Sequence, residues 1–269
     1  MTDSNQQELM DIIVQGPYDD FTGIVAESYL KLPFVNNIVI SCWGGNVVGK
    51  SIFDNPRVSV VFNKHPFQNG TDNRNLQIVS SLGGVKKATT KHAAKMRADQ
   101  LYSYDSMMKM YDYYITNQRQ HLLFVAGMYP SLCFHPRDHI FWGEIQDLTR
   151  LFELPLEFNG LTERVRIDKF YLANYYAYFT RVETYIGAHY CAEFDERIKH
   201  MLIQPEKYLY DGAPLWHDAY NISQEVTSKF FKSFPRTGID LVWPKKGWER
   251  YPYEQQHADY NECWAEEGY

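Results

Sequence analysis

Residues 9–45, LMDIIVQGPYDDFTGIVAESYLKLPFVNNIVISCWGG, decide the fold class. Residues 9–16 are a short apolar run that ends in Gln15-Gly16-Pro17. Residues 21–32 then place Ile24, Val25, Tyr29 and Leu30 at helical spacing, with Thr22 as the N-cap. A second apolar run, NIVISC at 37–42, closes on Trp43-Gly44-Gly45, and a third, RVSVVF, occupies 57–62. Strand, helix and strand at these lengths demand crossover connections, so the expected fold is α/β, with a mostly parallel, Rossmann-type sheet flanked by helices. Such sheets bind ligands at the carboxyl ends of their strands. Gln15-Gly16-Pro17, Trp43-Gly44-Gly45 and Asn63-Lys64-His65 each follow a strand and are expected on that one edge.

Gly44 to Ser51 matches GxxxxGKS, the pattern of a phosphate-binding loop. It follows the second strand rather than the first, and Pro56 lies too close behind for a full helix to start at Ser51. The match is therefore rejected.

The stretch 73–105, NRNLQIVSSLGGVKKATTKHAAKMRADQLYSYD, carries the chemistry. An amide-rich opening (Asn73, Arg74, Asn75, Gln77) leads to two glycines and then a basic, alanine-rich segment. Residues 85–95 are expected to be helical, with Lys87, Lys91 and Lys95 on one face. That helix would deliver Arg97 and Asp99 to the segment that follows. Cations at this spacing suit a diphosphate, arginine gripping it bidentately, and a lone aspartate can hold a divalent ion against the same phosphates. A solvated helix with lysines on its wet face has the same pattern.

Further along, 106–117 places Met107, Met108, Met110, Tyr111 and Tyr114 at helical core positions. Residues 120–128 read as a strand, Asp138 stands just before Phe141-Trp142-Gly143, and 145–152 is a short helix. An amphipathic helix is expected from Val182 to about residue 200. The tail from Ala213, with Trp216, Trp243, Trp248 and Trp264 among prolines, reads as ordered but irregular. The expected organisation is a core of 1–212 with an extension, 213–269, packed on it as one domain.

Composition narrows the function. The net charge of −6 argues against nucleic-acid binding through a general basic surface, so any anion site must be a local basic pocket. The cysteines Cys42, Cys133, Cys191 and Cys263 are far apart, which indicates neither a zinc site nor a disulfide scaffold. The polar start MTDSNQQELMD is no signal peptide, and no run approaches the roughly 18 apolar residues of a membrane span. A cytoplasmic protein is expected, with peripheral membrane association left open. His217 and His257 are lone histidines that could add metal ligands from the tail, though such residues are more often structural.

The order of these pieces resembles the WavE family of lipopolysaccharide-synthesis proteins, glycosyltransferases of the GT-A kind. The matching segments are the first strand with Gln15-Gly16-Pro17, then Ile38 to Trp43, Asn73 to Gln77 and Lys95 to Asp99. Asp138 with Phe141-Trp142-Gly143 and Val182-Glu183-Thr184-Tyr185 complete them. Together they span residues 10 to 190. The resemblance implies transfer of a sugar from a nucleotide-sugar donor to a carbohydrate acceptor in surface polysaccharide synthesis. GT-A enzymes often hold Mn or Mg on an Asp-x-Asp pair. Here the corresponding segment reads Arg97-Ala98-Asp99, so either Asp99 holds the ion with other ligands or Arg97 and Lys95 replace part of its charge.

Val182-Glu183-Thr184-Tyr185-Ile186-Gly187 is also similar to the Glu-Asp-Val-Tyr-x-Gly segment of inverting beta-1,3-glycosyltransferases. The resemblance thus implies Glu183 or Asp138 as the base that deprotonates the acceptor. It implies Gln15, Gly16, Pro17, Trp43, Arg74, Asn75, Gln77, Lys95 and Arg97 around the donor, and Asp99 on a metal. Glu183 reads equally well as a charge capping its helix, and Asp138 as a turn residue. Two other functions fit the same features: a sugar nucleotidyltransferase, or a catalytically inactive glycan- or nucleotide-sugar-binding protein of the same fold.

Overall fold

The computed structural model describes residues 8–44, 51–70, 73–128, 133–156, 182–208, 214–235, 237, 239–242 and 251–252. Seven strands form the main sheet: β1 Met10–Gln15, β2 Val35–Trp43, β3 Val58–Asn63, β4 His92–Arg97, β6 Leu123–Val125, β7 Ile140–Glu144 and β8 Phe231–Ser233. Their order is β3-β2-β1-β4-β7-β6-β8. β7 alone runs against its neighbours β4 and β6, so the sheet is mostly parallel. A second sheet joins β5 Leu101–Tyr102, β9 Asp240–Val242 and β10 Tyr251–Pro252.

Strand alternation assigns the helices to two layers. Ile12, Val14, Ile38, Ile40, Ala94 and Met96 pack against α1 Asp20–Tyr29 and α3 Tyr104–Asn117. The intervening Ile13, Val39 and Ala93 pack with α2 Arg74–Lys87, α4 Ile145–Phe152, α5 Val182–Ala192 and α6 Glu196–Ile203. A short α7, Pro205–Tyr208, leads toward α8 Trp216–Phe230, which joins the same layer through Ala219 and Val226. Ile12, Ile13 and Val14 are completely buried, each contributing about 1.5–3 kcal/mol of hydrophobic stabilisation, so β1 is the spine of both cores.

Local details depart from expectation in four places. The cap of α1 is Asp19, not Thr22; the two side chains form a reciprocal capping box one turn earlier than expected. The basic segment 85–95 is not a helix. Its helix is α2, which ends at Lys87, and Lys95 belongs to strand β4. The cause is Asp11, buried in β1, whose carboxylate accepts the backbone N–H groups of Thr89 (2.6 Å) and Thr90 (3.3 Å). Those donors turn the chain out of the helix and into the slot between β1 and β7. The helix expected from Val182 breaks at Asp195, which caps α6 through the Arg197 N–H. The tail, read as irregular, is more regular in its described part: α8 is 15 residues long and leads directly into β8, which completes the sheet against β6. Residues 243–250 and 253–269, with Trp243, Trp248, His257 and Trp264, lie outside the described residues. His217 lies exposed in the first turn of α8.

The rejected phosphate-loop match finds no helix after it. Ser51–Asp54 is a single 3-10 turn, while residues 45–50 are outside the described part. Among the described residues no helix is long and apolar enough to cross a membrane.

Candidate active site

On the α2 side of the sheet the strands change character toward their carboxyl ends. Two residues after buried Ile13, Val39 and Ala93 come Gln15, Ser41 and Lys95, which share their face, and Arg97 follows Lys95 at the same spacing. Register then aligns them: Gln15 lies opposite both Ser41 on β2 and Arg97 on β4. A polar row thus crosses three strands at one edge. α2 is sewn to it, since Gln15 Nε2 donates to Ser80 Oγ (2.7 Å) and Ser41 Oγ donates to the Ser80 carbonyl (2.6 Å). The helix can lie this close because Gly84 has no side chain: a Cβ there would fall 2.3 Å from Ile13 Cγ2.

The order β2-β1-β4 places the topological switch between β1 and β4, the position at which open sheets of this kind bind their ligands beyond the strand ends. Gly16 follows β1 there with φ +147°, a conformation that favours glycine, and a Cβ on it would be 3.1 Å from Ala98 Cβ.

Because β7 is antiparallel, its entry meets the exit of β4, and this brings Asp138 to Arg97. Arg97 Nη1 donates to Asp138 Oδ2 at 2.9 Å, while Nε and Nη2 donate to the two oxygens of Asp99, each at 2.9 Å. Lys95, completely buried, donates from Nζ to the Asp138 carbonyl at 2.8 Å. Gln77 in the first turn of α2 donates to Asp138 Oδ2 at 3.1 Å. Arg74, three residues earlier and so on the same helix face, lays its guanidinium 4.2 Å from the Tyr185 ring centre. His135 Nδ1 and Thr184 Oγ1 are hydrogen-bonded at 2.8 Å, which anchors the start of α5 at this edge.

Two cationic side chains, Lys95 and Arg97, thus meet Asp99 and Asp138, with buried Arg74 on the Gln77 face of α2 and buried Arg137 next to Asp138 in sequence, on a chain of net charge −6. Cations fixed in a low-dielectric setting attract an anion more strongly than they would in water. Burial pushes the Asp138 carboxyl up, but the charges of Arg97 and Lys95 outweigh it and hold the group well below the usual carboxylate range. Arg97 is disfavoured as a cation by burial, yet its two carboxylate partners hold its proton more firmly than usual. His139 is pushed down to about 4, by burial first and then by Arg97, Arg137 and Lys95 against the opposing pull of Asp138. It is neutral at pH 7.

This last shift makes stability depend on pH. Between pH 6.5 and 4 the unfolded chain binds a proton at His139 and the folded chain does not, so stability falls as pH falls. The loss is about 1.4 kcal/mol per pH unit for each such histidine. His189, also lowered to about 4 by burial and Arg74, and His92, lowered by burial, add to the same trend. Asp138 adds a loss only in more acid solution. The urea midpoint is expected to drop from pH 7 to 4, and His139→Gln should make that slope shallower by one proton. An unchanged slope in the variant would exclude His139 as a contributor.

The structure brings together Gln15, Gly16, Arg74, Gln77, Lys95, Arg97, Asp99 and Asp138. Three other expected donor residues stand apart. Pro17 is exposed, and its carbonyl accepts from Thr22 in the capping box. Trp43 lies on the same edge but on β2, its ring packed on His65 with 4.7 Å between centroids. Asn75 is buried, its backbone N–H and side chain donating to the carbonyls of Asn69 (2.9 Å) and Gln68 (3.0 Å). It shapes the loop before α2. Glu183 is in the first turn of α5, and its side chain lies outside the described residues. His135, His139, Tyr185 and His189 were not expected at the site. The signal for the first two was the density of charge in HPRDH, set between two apolar runs.

The residues present do not form a ready metal site. Both oxygens of Asp99 are taken by Arg97, and Oδ2 of Asp138 accepts from Arg97 and Gln77. Among the described residues no group of three His, Cys, Asp or Glu side chains could hold an ion.

A family model described as WavE lipopolysaccharide synthesis matches residues 12–199. No curated protein matches the chain. Among solved structures, it is similar to a 4-diphosphocytidyl-2C-methyl-D-erythritol synthase from Anaerococcus prevotii DSM 20548. The two are 7% identical with a TM-score of 0.42, over 59% of this chain and 83% of that one. A cytidylyltransferase from Leptospira borgpetersenii serovar Hardjo-bovis (strain JB197) is 16% identical with a TM-score of 0.38, over 56% of this chain and 66% of that one.

Proposed function

The chain belongs to the WavE lipopolysaccharide synthesis family, and from that premise we propose that it is an inverting glycosyltransferase using a nucleotide-sugar donor and a glycan acceptor. The observation that carries this reading is the pair of cations at the β1/β4 switch point, fully buried Lys95 and half-buried Arg97, next to the glycine turn at Gly16. In this proposal Arg97 receives the donor diphosphate and the buried Lys95 and Arg74 add their charge behind it, while Gln15, Gly16 and Gln77 border the nucleotide and Trp43 flanks it from β2. The acceptor hydroxyl oxygen attacks the anomeric carbon, and the bond from that carbon to the diphosphate breaks. Negative charge grows on the leaving oxygen, where fixed cations stabilise it most. The hydroxyl proton passes to a carboxylate.

Glu183 is assigned that base. Asp138 is better suited to holding Arg97 and Lys95 in place, because a carboxylate kept well below its usual range accepts a proton poorly. α5 begins at the site edge through Thr184, which supports Glu183 for the role.

A thermal-shift screen tests the reading. One nucleoside diphosphate and its nucleotide sugars are expected to stabilise the protein selectively, by about 2.7 kcal/mol at a hundred times the dissociation constant. A flat response to all of them would overturn it. Release of pyrophosphate from a nucleoside triphosphate and a sugar phosphate would instead favour a nucleotidyltransferase.

A further inference from the structure

We infer that the donor diphosphate is bound without a divalent metal, the guanidinium of Arg97 standing where the ion would be and the buried ammonium of Lys95 adding its charge from behind. The inference rests on the glycosyltransferase reading of the site and concerns what neutralises the phosphates there.

The geometry is specific. An ion on Asp99 must take one of two oxygens that each already accept an N–H from Arg97 at 2.9 Å. With metal–oxygen bonds of about 2.1 Å, it would lie within one or two atoms of a fixed positive charge. Arg97 cannot readily swing away, because its Nη1 is held by Asp138, whose side chain is only 8% exposed and is also engaged by Gln77. Asp138 is therefore no second ligand in waiting. Its backbone carbonyl is likewise occupied, by the Lys95 ammonium at 2.8 Å.

The same features suit a phosphate. Arg97 is 23% exposed and Asp99 30% exposed, against 8% for Asp138, so solvent reaches the pair more readily than it reaches Asp138. A diphosphate entering there can replace Asp99 as the acceptor of the Arg97 fork. One anion is exchanged for another at a guanidinium that Asp138 keeps aimed. Guanidinium matches phosphate oxygens bidentately, which a point charge cannot do.

The test is calorimetric titration of the full chain with adenosine, guanosine, cytidine and uridine diphosphates, in EDTA and again in excess Mn or Mg. At least one nucleotide is expected to bind in EDTA, with affinity changed less than about threefold by metal. Arg97→Gln is expected to weaken that binding by about 10- to 100-fold, the worth of a charge-assisted pair. Arg97→Lys, which keeps the charge and loses the fork, should fall between them, and its melting curve checks that it is folded. Binding that requires metal would overturn the inference and leave the glycosyltransferase reading standing. Binding in EDTA that neither variant weakens would also overturn it, by removing Arg97 from the site. No binding of any nucleotide under either condition would bring down both.

Discussion

Replacing Asp138 with alanine is expected to destabilise the folded protein by about 3–5 kcal/mol, the range for removing one partner of a buried ion pair. The carboxylate is 8% exposed and receives Arg97 Nη1 at 2.9 Å and Gln77 Nε2 at 3.1 Å. Without it, a guanidinium that is itself largely enclosed loses its buried acidic partner and keeps the more exposed Asp99, and the Gln77 amide loses its acceptor. Charges out of water are costly chiefly when uncompensated, so the loss should come mostly from the stranded cation. Pairing Asp138→Ala with Arg97→Met removes both charges and is expected to restore more than half of the stability. Urea midpoints of the two single variants and the double variant form the cycle that checks this. A single-variant loss below about 1 kcal/mol would mean that water reaches Arg97 and that the pair is not the centre of the site.

Glu183→Gln is expected to lower sugar transfer by two to four orders of magnitude, the usual effect of losing a general base. Donor affinity should stay near the wild-type value, because the diphosphate is assigned to the cations on β4 and α2. A loss in kcat without a change in KM for the donor is the signature of an interaction made only in the transition state. Glu183 stands in the first turn of an 11-residue helix, next to Thr184, which ties that helix to His135 at the site edge. Asp138→Asn serves as the comparison. Because Asp138 is tied to Arg97, its variant should lose stability and donor binding together. If Asp138→Asn instead spares donor binding and stops transfer, while Glu183→Gln transfers normally, the two roles are exchanged.

Much of the fold was legible because its first two strands are buried on both faces. NIVISC and the apolar part of LMDIIVQG have no polar alternation to confuse them with surface strands, and Val35–Trp43 and Met10–Gln15 contain both. The basic segment 85–95 misled for the converse reason. Lysines at three- and four-residue spacing look like the wet face of a helix, yet Lys95 lies in the middle of a sheet and is fully buried. No local pattern reveals that Asp11, some eighty residues upstream, captures the Thr89 and Thr90 amides and ends the helix.

The site divides in the same way. Gln15 at the end of β1 and Gly16 after it could be placed on the carboxyl edge from strand order, whereas Arg97 joins them there only because His92–Arg97 is a strand, a segment that reads in sequence as the end of a helix. The meeting of Asp138 with Arg97 depends on β7 running antiparallel to β4, a pairing set by long-range packing of Phe141 and Trp142 into opposite cores. The approach of α5 through His135 and Thr184 likewise spans 49 residues of sequence. Residue type and spacing determine which segments are strands and which side chains can carry charge. Whether a given cation faces water, a carboxylate or an incoming phosphate is determined by which distant segment packs over it, because charge energetics depend on burial and partners that adjacent sequence does not contain.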